Sequence, residues 1–206
     1  MSNHSIMLVD EHPLIRHSLK QLIKAAHEFS VVAEVSNGID VINIANQLKP
    51  DIIMMDINIS NMYGPEVIRQ IRKEGIKSYI LILSFSANRI DVYNAIDAGA
   101  NGYLLKNCEL DMLVNSLKSA ANGLPVFSNQ IHQYLNNRHQ YQDPLSSLTK
   151  REFEVLREIA NGLKNREISK SLFISEETVK VHIRNLLKKL NVRFRLEASL
   201  VYMRAK

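Results

Sequence analysis

The chain has 206 residues, 46% of them apolar, an ordinary share for a soluble globular protein, and its length fits one or two domains. No stretch reaches the roughly 20 apolar residues of a membrane span, and the polar start Met1–Ser5 lacks a secretory layout, so a cytoplasmic protein with no membrane partner is expected. Charge is uneven: residues 1–125 carry 11 Lys/Arg and 13 Asp/Glu, net −2, while residues 126–206 carry 15 and 8, net +7, which invites a polyanion partner for the second half.

The first half alternates short apolar runs with helical periodicity. Ile6-Met7-Leu8-Val9 ends at Asp10-Glu11, and Pro13 then suits the first position of a helix carrying Leu14, Ile15, Leu19, Leu22 and Ile23. Val31-Val32-Ala33 precedes a segment around Val41, Ile44 and Leu48. Ile52-Ile53-Met54-Met55 ends at Asp56 and precedes Val67, Ile68 and Ile71. Ile80-Leu81-Ile82-Leu83 ends at Ser84 and precedes Ile90, Tyr93 and Ile96. Tyr103-Leu104-Leu105 ends at Lys106 and precedes Leu110, Leu113, Val114 and Leu117. Five apolar strands alternating with five helices predict an α/β fold, a doubly wound five-stranded parallel sheet, over residues 1–125. The single cysteine, Cys108, cannot form an internal disulfide and reads as an ordinary small side chain.

Residues 126–146 read as a linker. The stretch Asn129–Gln142 is rich in Asn, Gln, His and Tyr, with some helical character around Ile131, Tyr134 and Leu135, and Asp143-Pro144 breaks the chain. Residues 147–206 read as a second, smaller all-α domain. Thr149 to Glu152 matches a capping box, with Leu148 and Phe153 as its hydrophobic staple, and Asn161-Gly162 ends that helix. A short helix around Ile168 to Leu172 follows, then one capped by Ser175 with Glu176 and Glu177 in its first turn, then one from about Phe194 to Met203.

Open α/β sheets place ligands at the carboxyl ends of their strands. Asp10, Glu11, Asp56, Ser84 and Lys106 sit at four such ends, a set suited to phosphoryl transfer. Crowded carboxylates favour a hard cation such as Mg²⁺, a carboxylate is a competent nucleophile, and a lysine with a hydroxyl can hold phosphoryl oxygens. Leu8 to Pro13, Met55 to Asn58, Ile82 to Ser84 and Gly102 to Lys106 together strongly resemble a receiver domain, with the flavodoxin-like fold that implies. The resemblance makes Asp56 the phosphoacceptor, Asp10 and Glu11 the acid pair, and the Asn58 backbone carbonyl a further Mg²⁺ ligand. Ser84 and Lys106 would bind the phosphoryl group, and Tyr103 would be the aromatic that turns inward. A sensor histidine kinase would be the donor. One residue departs from that pattern: the second acid is usually Asp, and Glu11 is one methylene longer.

In the second domain, Val179, Ile183, Leu186, Leu187 and Leu190 form one apolar face, while Lys180, Arg184 and Lys188 form a basic stripe four residues apart. Such a helix can pack on a scaffold and still enter a major groove. Leu148 to Leu156, Glu167-Ile168 and Ile174 to His182 resemble a LuxR-type helix-turn-helix. A receiver joined to that domain is the NarL/FixJ class of response regulators, and Thr178 to Val192 look most like its nitrate/nitrite-responsive members. The resemblance puts Lys180, Val181 and Arg184 at base edges and Thr178, His182 and Lys188 at phosphates, with a homodimer reading inverted half-sites in double-stranded DNA. The function implied is phosphorylation-controlled transcription regulation. An enzyme is not expected, because a phosphatase with an aspartyl intermediate wants a second Asp where this chain has Asn58. The alternative is a DNA-binding regulator whose receiver is uncoupled from phosphorylation, favoured only by Glu11.

Overall fold

The structure is a computed structural model and describes residues 3–60, 62–140 and 143–205. The chain divides into two compact units, Met1–Arg138 and His139–Lys206. Among the described residues, no helix is long and apolar enough to cross a membrane.

The first unit runs β1 (His4–Val9), α1 (Pro13–Ala25), β2 (Phe29–Val35), α2 (Gly38–Leu48), β3 (Ile52–Met55), an antiparallel pair of two-residue strands β4 (Asn58–Ile59) and β5 (Met62–Tyr63), then α3 (Gly64–Lys73). It continues with β6 (Tyr79–Ser84), α4 (Arg89–Ala98), β7 (Gly102–Leu105), α5 (Leu110–Ala121), β8 (Val126–Phe127) and α6 (Asn129–Asn136). The main sheet has the order β2-β1-β3-β6-β7-β8, with every pairing parallel. Strands β3, β6 and β7 are buried along their whole length, as unbroken apolar runs predict for strands covered on both faces. Their register matters for function. Val9 pairs with Met55, Met55 with Ile82, and Ser84 with Leu105, so the residues that follow β1, β3 and β7 emerge together at one end. The order reverses between β1 and β3, and that reversal opens the crevice where open sheets bind ligands.

The expected five-stranded sheet is corrected to six. Val126 and Phe127, read as the start of a linker, pair with Gly102 and Tyr103. Glycine is required at that junction, because a Cβ on Gly102 would stand 2.7 Å from the Val126 carbonyl oxygen and 2.9 Å from Leu81. Ser128 secures the strand end, its hydroxyl accepting from the Leu105 N–H at 2.9 Å. The helical character expected around Ile131 becomes α6, which buries Ile131 completely and packs on α4. Its polar residues hid that role, since one apolar side chain does the burying. Tyr141 and Gln142, within the same expected linker, lie outside the described residues.

The second unit comprises α7 (Lys150–Ala160), α8 (Asn165–Ser171), α9 (Glu176–Lys189) and α10 (Arg195–Ala205). Thr149 and Glu152 form the reciprocal capping box at the start of α7. Gly162 takes a left-handed backbone after it (φ 85°). The core gathers Val155, Leu156, Ile159, Ile168, Val179, Leu186, Ala198 and Tyr202, with Leu148 and Phe153 packed at its edge.

Candidate functional site

Asp56 leaves β3 into the crevice and is 6% exposed. Its Oδ1 accepts from Ser84 Oγ at 2.6 Å, from the Ile57 N–H at 2.6 Å and from the Asn58 N–H at 3.3 Å. Its Oδ2 accepts from Lys106 Nζ at 2.5 Å, and the same ammonium donates to Asp10 Oδ2 at 2.5 Å. Asp10 Oδ1 accepts from the His12 N–H at 2.8 Å. The Lys106 side chain is almost wholly buried. Burial opposes its charge, but Asp10 and Asp56 more than offset that and hold its pKa above the ordinary lysine range. One ammonium between two buried carboxylates leaves the cluster one negative charge in excess, which favours an added cation.

Four sequence-predicted residues, Asp10, Asp56, Ser84 and Lys106, are therefore joined directly. Glu11 is not among them. Its side chain faces outward, and Glu11 Oε2 accepts from Ser60 Oγ at 2.6 Å. Among the described residues, no three His, Cys, Asp or Glu side chains converge closely enough to hold a metal ion. The donor chemistry still fits a hard divalent cation: two buried carboxylates meet here, and an exposed third lies next in sequence to one of them. A longer Glu11 side chain must turn away from Ser60 to join them.

Tyr103 is completely buried, its ring inward, and its hydroxyl donates to the Ser86 carbonyl at 2.7 Å. Burial, reinforced by the negative charges of Asp91 and Asp56, pushes its phenol well above the ordinary tyrosine range, so it serves as a neutral donor. Beyond it lies a group that no sequence pattern announced. Ser86 Oγ donates to Asp91 Oδ2 at 2.7 Å, and the Tyr63 hydroxyl donates to Asp91 Oδ1. Asp91 is 5% exposed. In sequence it reads as an ordinary acid in the first turn of a helix, and the only hint is that it lies on the same stretch as Ser84.

In the second unit, α9 separates its faces as expected. Val179, Ile183, Leu186, Leu187 and Leu190 join the core. Lys180, Val181, Arg184 and Lys188 are exposed, with Thr178 and His182 half-buried beside them. Ser175 caps the helix, its hydroxyl accepting from the Thr178 N–H at 3.1 Å. Lys180 Nζ pairs with Glu177 at 2.7 Å. From the other side, Lys189 Nζ reaches the buried Glu152 of α7 at 2.7 Å and fixes the helix to its scaffold. The connection from α8 turns at Phe173, a left-handed residue (φ 54°) that is 94% exposed.

The response regulator receiver domain family matches residues 6–118, and the luxR family of bacterial regulatory proteins matches residues 146–202. A nitrate/nitrite response regulator protein homolog of Haemophilus influenzae is 47% identical, covering 96% of this chain and 95% of that protein. The nitrate/nitrite response regulator protein NarP of Escherichia coli is 44% identical, covering 96% and 94%. Among solved structures, the response regulator ChrA of a heme-sensing two-component system is 30% identical with a TM-score of 0.61 over 98% of both chains. RcsB of Salmonella enterica, bound to promoter DNA with the phosphomimetic BeF3-, shares the fold at a TM-score of 0.70 and 20% identity over 100% of both chains.

Proposed function

The chain belongs to the two-component response regulators that join a receiver domain to a LuxR-type DNA-binding domain, and from that premise we propose that phosphorylation of Asp56 controls its binding to DNA. The observation that carries this reading is the Asp56 carboxylate, buried at the crevice and gripped on opposite oxygens by Ser84 and Lys106. A carboxylate oxygen attacks the phosphorus of a phosphohistidine on a sensor histidine kinase. The P–N bond breaks, and the imidazole leaves with the electron pair and takes a proton. Lys106 then follows charge from the carboxylate to the phosphoryl oxygens, and Ser84 Oγ, 2.6 Å away, turns its donor to another of them. Asp10, Glu11, Asp56 and the Asn58 carbonyl would hold Mg²⁺, which supplies charge neutralisation for the incoming phosphoryl group. Tyr103, already inward, closes behind Ser84.

In the second domain, Lys180, Val181 and Arg184 meet base edges, where cationic donors suit guanine and the valine suits a thymine methyl. Thr178, His182 and Lys188 contact phosphates. A homodimer formed through α10 reads inverted half-sites. The signal is nitrate or nitrite, as for the similar proteins from Haemophilus influenzae and Escherichia coli, and the protein works in the cytoplasm. The domains divide at 1–125, 126–146 and 147–206 by function, with 126–136 serving the receiver structurally. The protein does not turn over small phosphomonoesters.

The test is intact mass after incubation with Mg²⁺ and acetyl phosphate. A single phosphoryl adduct in the wild type, lost in Asp56→Asn, is expected. No adduct on folded wild type would favour a receiver uncoupled from phosphorylation.

A further inference from the structure

We propose that Asp91 is a positioning residue of the phosphoryl switch, holding the loop after β6 so that Ser84 faces Asp56 and passing that geometry through α4 to α6. This rests on the phospho-switch reading above. The loop is tied to the site through its serines, and the Ser86 hydroxyl also accepts from the Asn88 N–H at 3.2 Å. Ser84 is fixed on Asp56, the Ser86 N–H reaches Ser84 Oγ at 3.3 Å, and the Ser86 carbonyl receives the Tyr103 hydroxyl. The Ser86 hydroxyl ends on Asp91, whose other oxygen is held by Tyr63 next to α3. A carboxylate with almost no access to water relies on such donors for solvation, so the three side chains hold one another in place. One continuous hydrogen-bonded path thus runs from Asp56 to the first turn of α4.

The outer face of the same helix holds α6. The Tyr93 hydroxyl donates to the Tyr134 carbonyl at 3.0 Å, and the Arg89 guanidinium lies 4.6 Å from the Tyr134 ring centre. Arg138 clamps Asp97 with two bonds of 2.8 and 2.6 Å and covers the Tyr93 ring at 4.8 Å. Arg138 ends the first unit, so α6 is the last α-helix before the DNA-binding unit in the chain. A helix held at one end by the phosphate-gripping loop and along its face by α6 moves as one body, and α6 reports what Ser84 binds.

The experiment uses full-length protein and beryllofluoride with Mg²⁺ as the phosphoryl mimic, comparing wild type, Asp91→Ala, Ser86→Ala and Tyr93→Phe. Two quantities are read: the concentration of mimic for half-saturation, by calorimetry, and its effect on amide exchange in residues 129–138. Loss of a hydrogen bond to a charged group predicts half-saturation on the order of ten-fold higher in Asp91→Ala. Ser86→Ala removes only the hydroxyl that donates to Asp91 and accepts from the Asn88 N–H at 3.2 Å, changes no residue of α4, and should reproduce most of it. Tyr93→Phe should bind the mimic as wild type does yet lose most of the exchange response in α6. Wild-type half-saturation in both Asp91→Ala and Ser86→Ala would overturn the inference alone, as would an unaltered α6 response in Tyr93→Phe. Absence of mimic binding by folded wild type would instead overturn the phospho-switch reading beneath it.

Discussion

Glu152→Gln should loosen α9 at its root. Glu152 is 4% exposed and accepts from Lys189 Nζ of α9 at 2.7 Å and from the Thr149 N–H at 2.8 Å. Burial works against its charge, but Lys189 and Thr149 more than offset it, and the carboxyl is held below its ordinary value of 4.5. Hydrogen bonds to charged groups contribute about 1.5–3 kcal/mol. The Lys189 side chain is 35% exposed, so solvent screening places the loss toward the lower end, about 1.5 kcal/mol. A carboxyl with a depressed folded pKa stabilises the fold above the unfolded value and ceases to do so as pH falls through the folded one. The wild-type advantage over Glu152→Gln should therefore be full at pH 7 and fade below about pH 4.5. Amide exchange across α7 and α9 in full-length protein, measured with rising urea, gives both the magnitude and the pH trend. A double-mutant cycle with Lys189→Met isolates the pair. A coupling below about 0.3 kcal/mol at pH 7, or an advantage that grows in acid, would mean that the Glu152–Lys189 pair does not hold α9 to α7.

Three further outcomes follow from particular contacts. Gly102→Ala should destabilise the first unit by roughly 1–3 kcal/mol and raise amide exchange in residues 126–136, because its Cβ collides with the Val126 carbonyl and Leu81. Phe173→Gly should raise the stability of the second unit by about 0.5–1 kcal/mol in urea unfolding, since an exposed left-handed residue loses strain and little packing. Lys188→Ala should weaken DNA binding by a similar factor on any duplex and lower the slope of log affinity against log salt by about 1, read by fluorescence anisotropy across a salt series.

Much of this architecture was legible because strong periodicity and strand-end chemistry coincide. Ile52 to Met55 reads as a buried strand, and Asp56 after it stands where parallel sheets place ligands, so Asp10, Asp56, Ser84 and Lys106 were locatable without coordinates. The apolar face of α9 was legible for the same reason, from spacing alone. What escaped was short or polar. Val126-Phe127 is too brief for a strand pattern, and its pairing depends on the missing side chain of Gly102. α6 buries one residue, Ile131, and is otherwise held by Tyr134, and Arg138 beyond it is anchored by paired charges and ring contacts that no periodicity encodes. Asp91 and Tyr63 lie 28 residues apart and meet only through the packing of α3 on α4. The outward turn of Glu11 follows from its length and from a hydroxyl at Ser60, a local choice of partner invisible in the order of residues.

One titration tests directly whether the Asp56 phosphoryl group governs DNA binding. Duplexes carrying inverted repeats, enriched from a random pool with acetyl-phosphate-treated protein, are titrated with treated and untreated wild type and with treated Asp56→Asn. Treated wild type is expected to bind at least about ten-fold tighter than the other two, a difference of about 1.4 kcal/mol. Equal affinities for all three, on duplexes that treated wild type binds specifically, would contradict it.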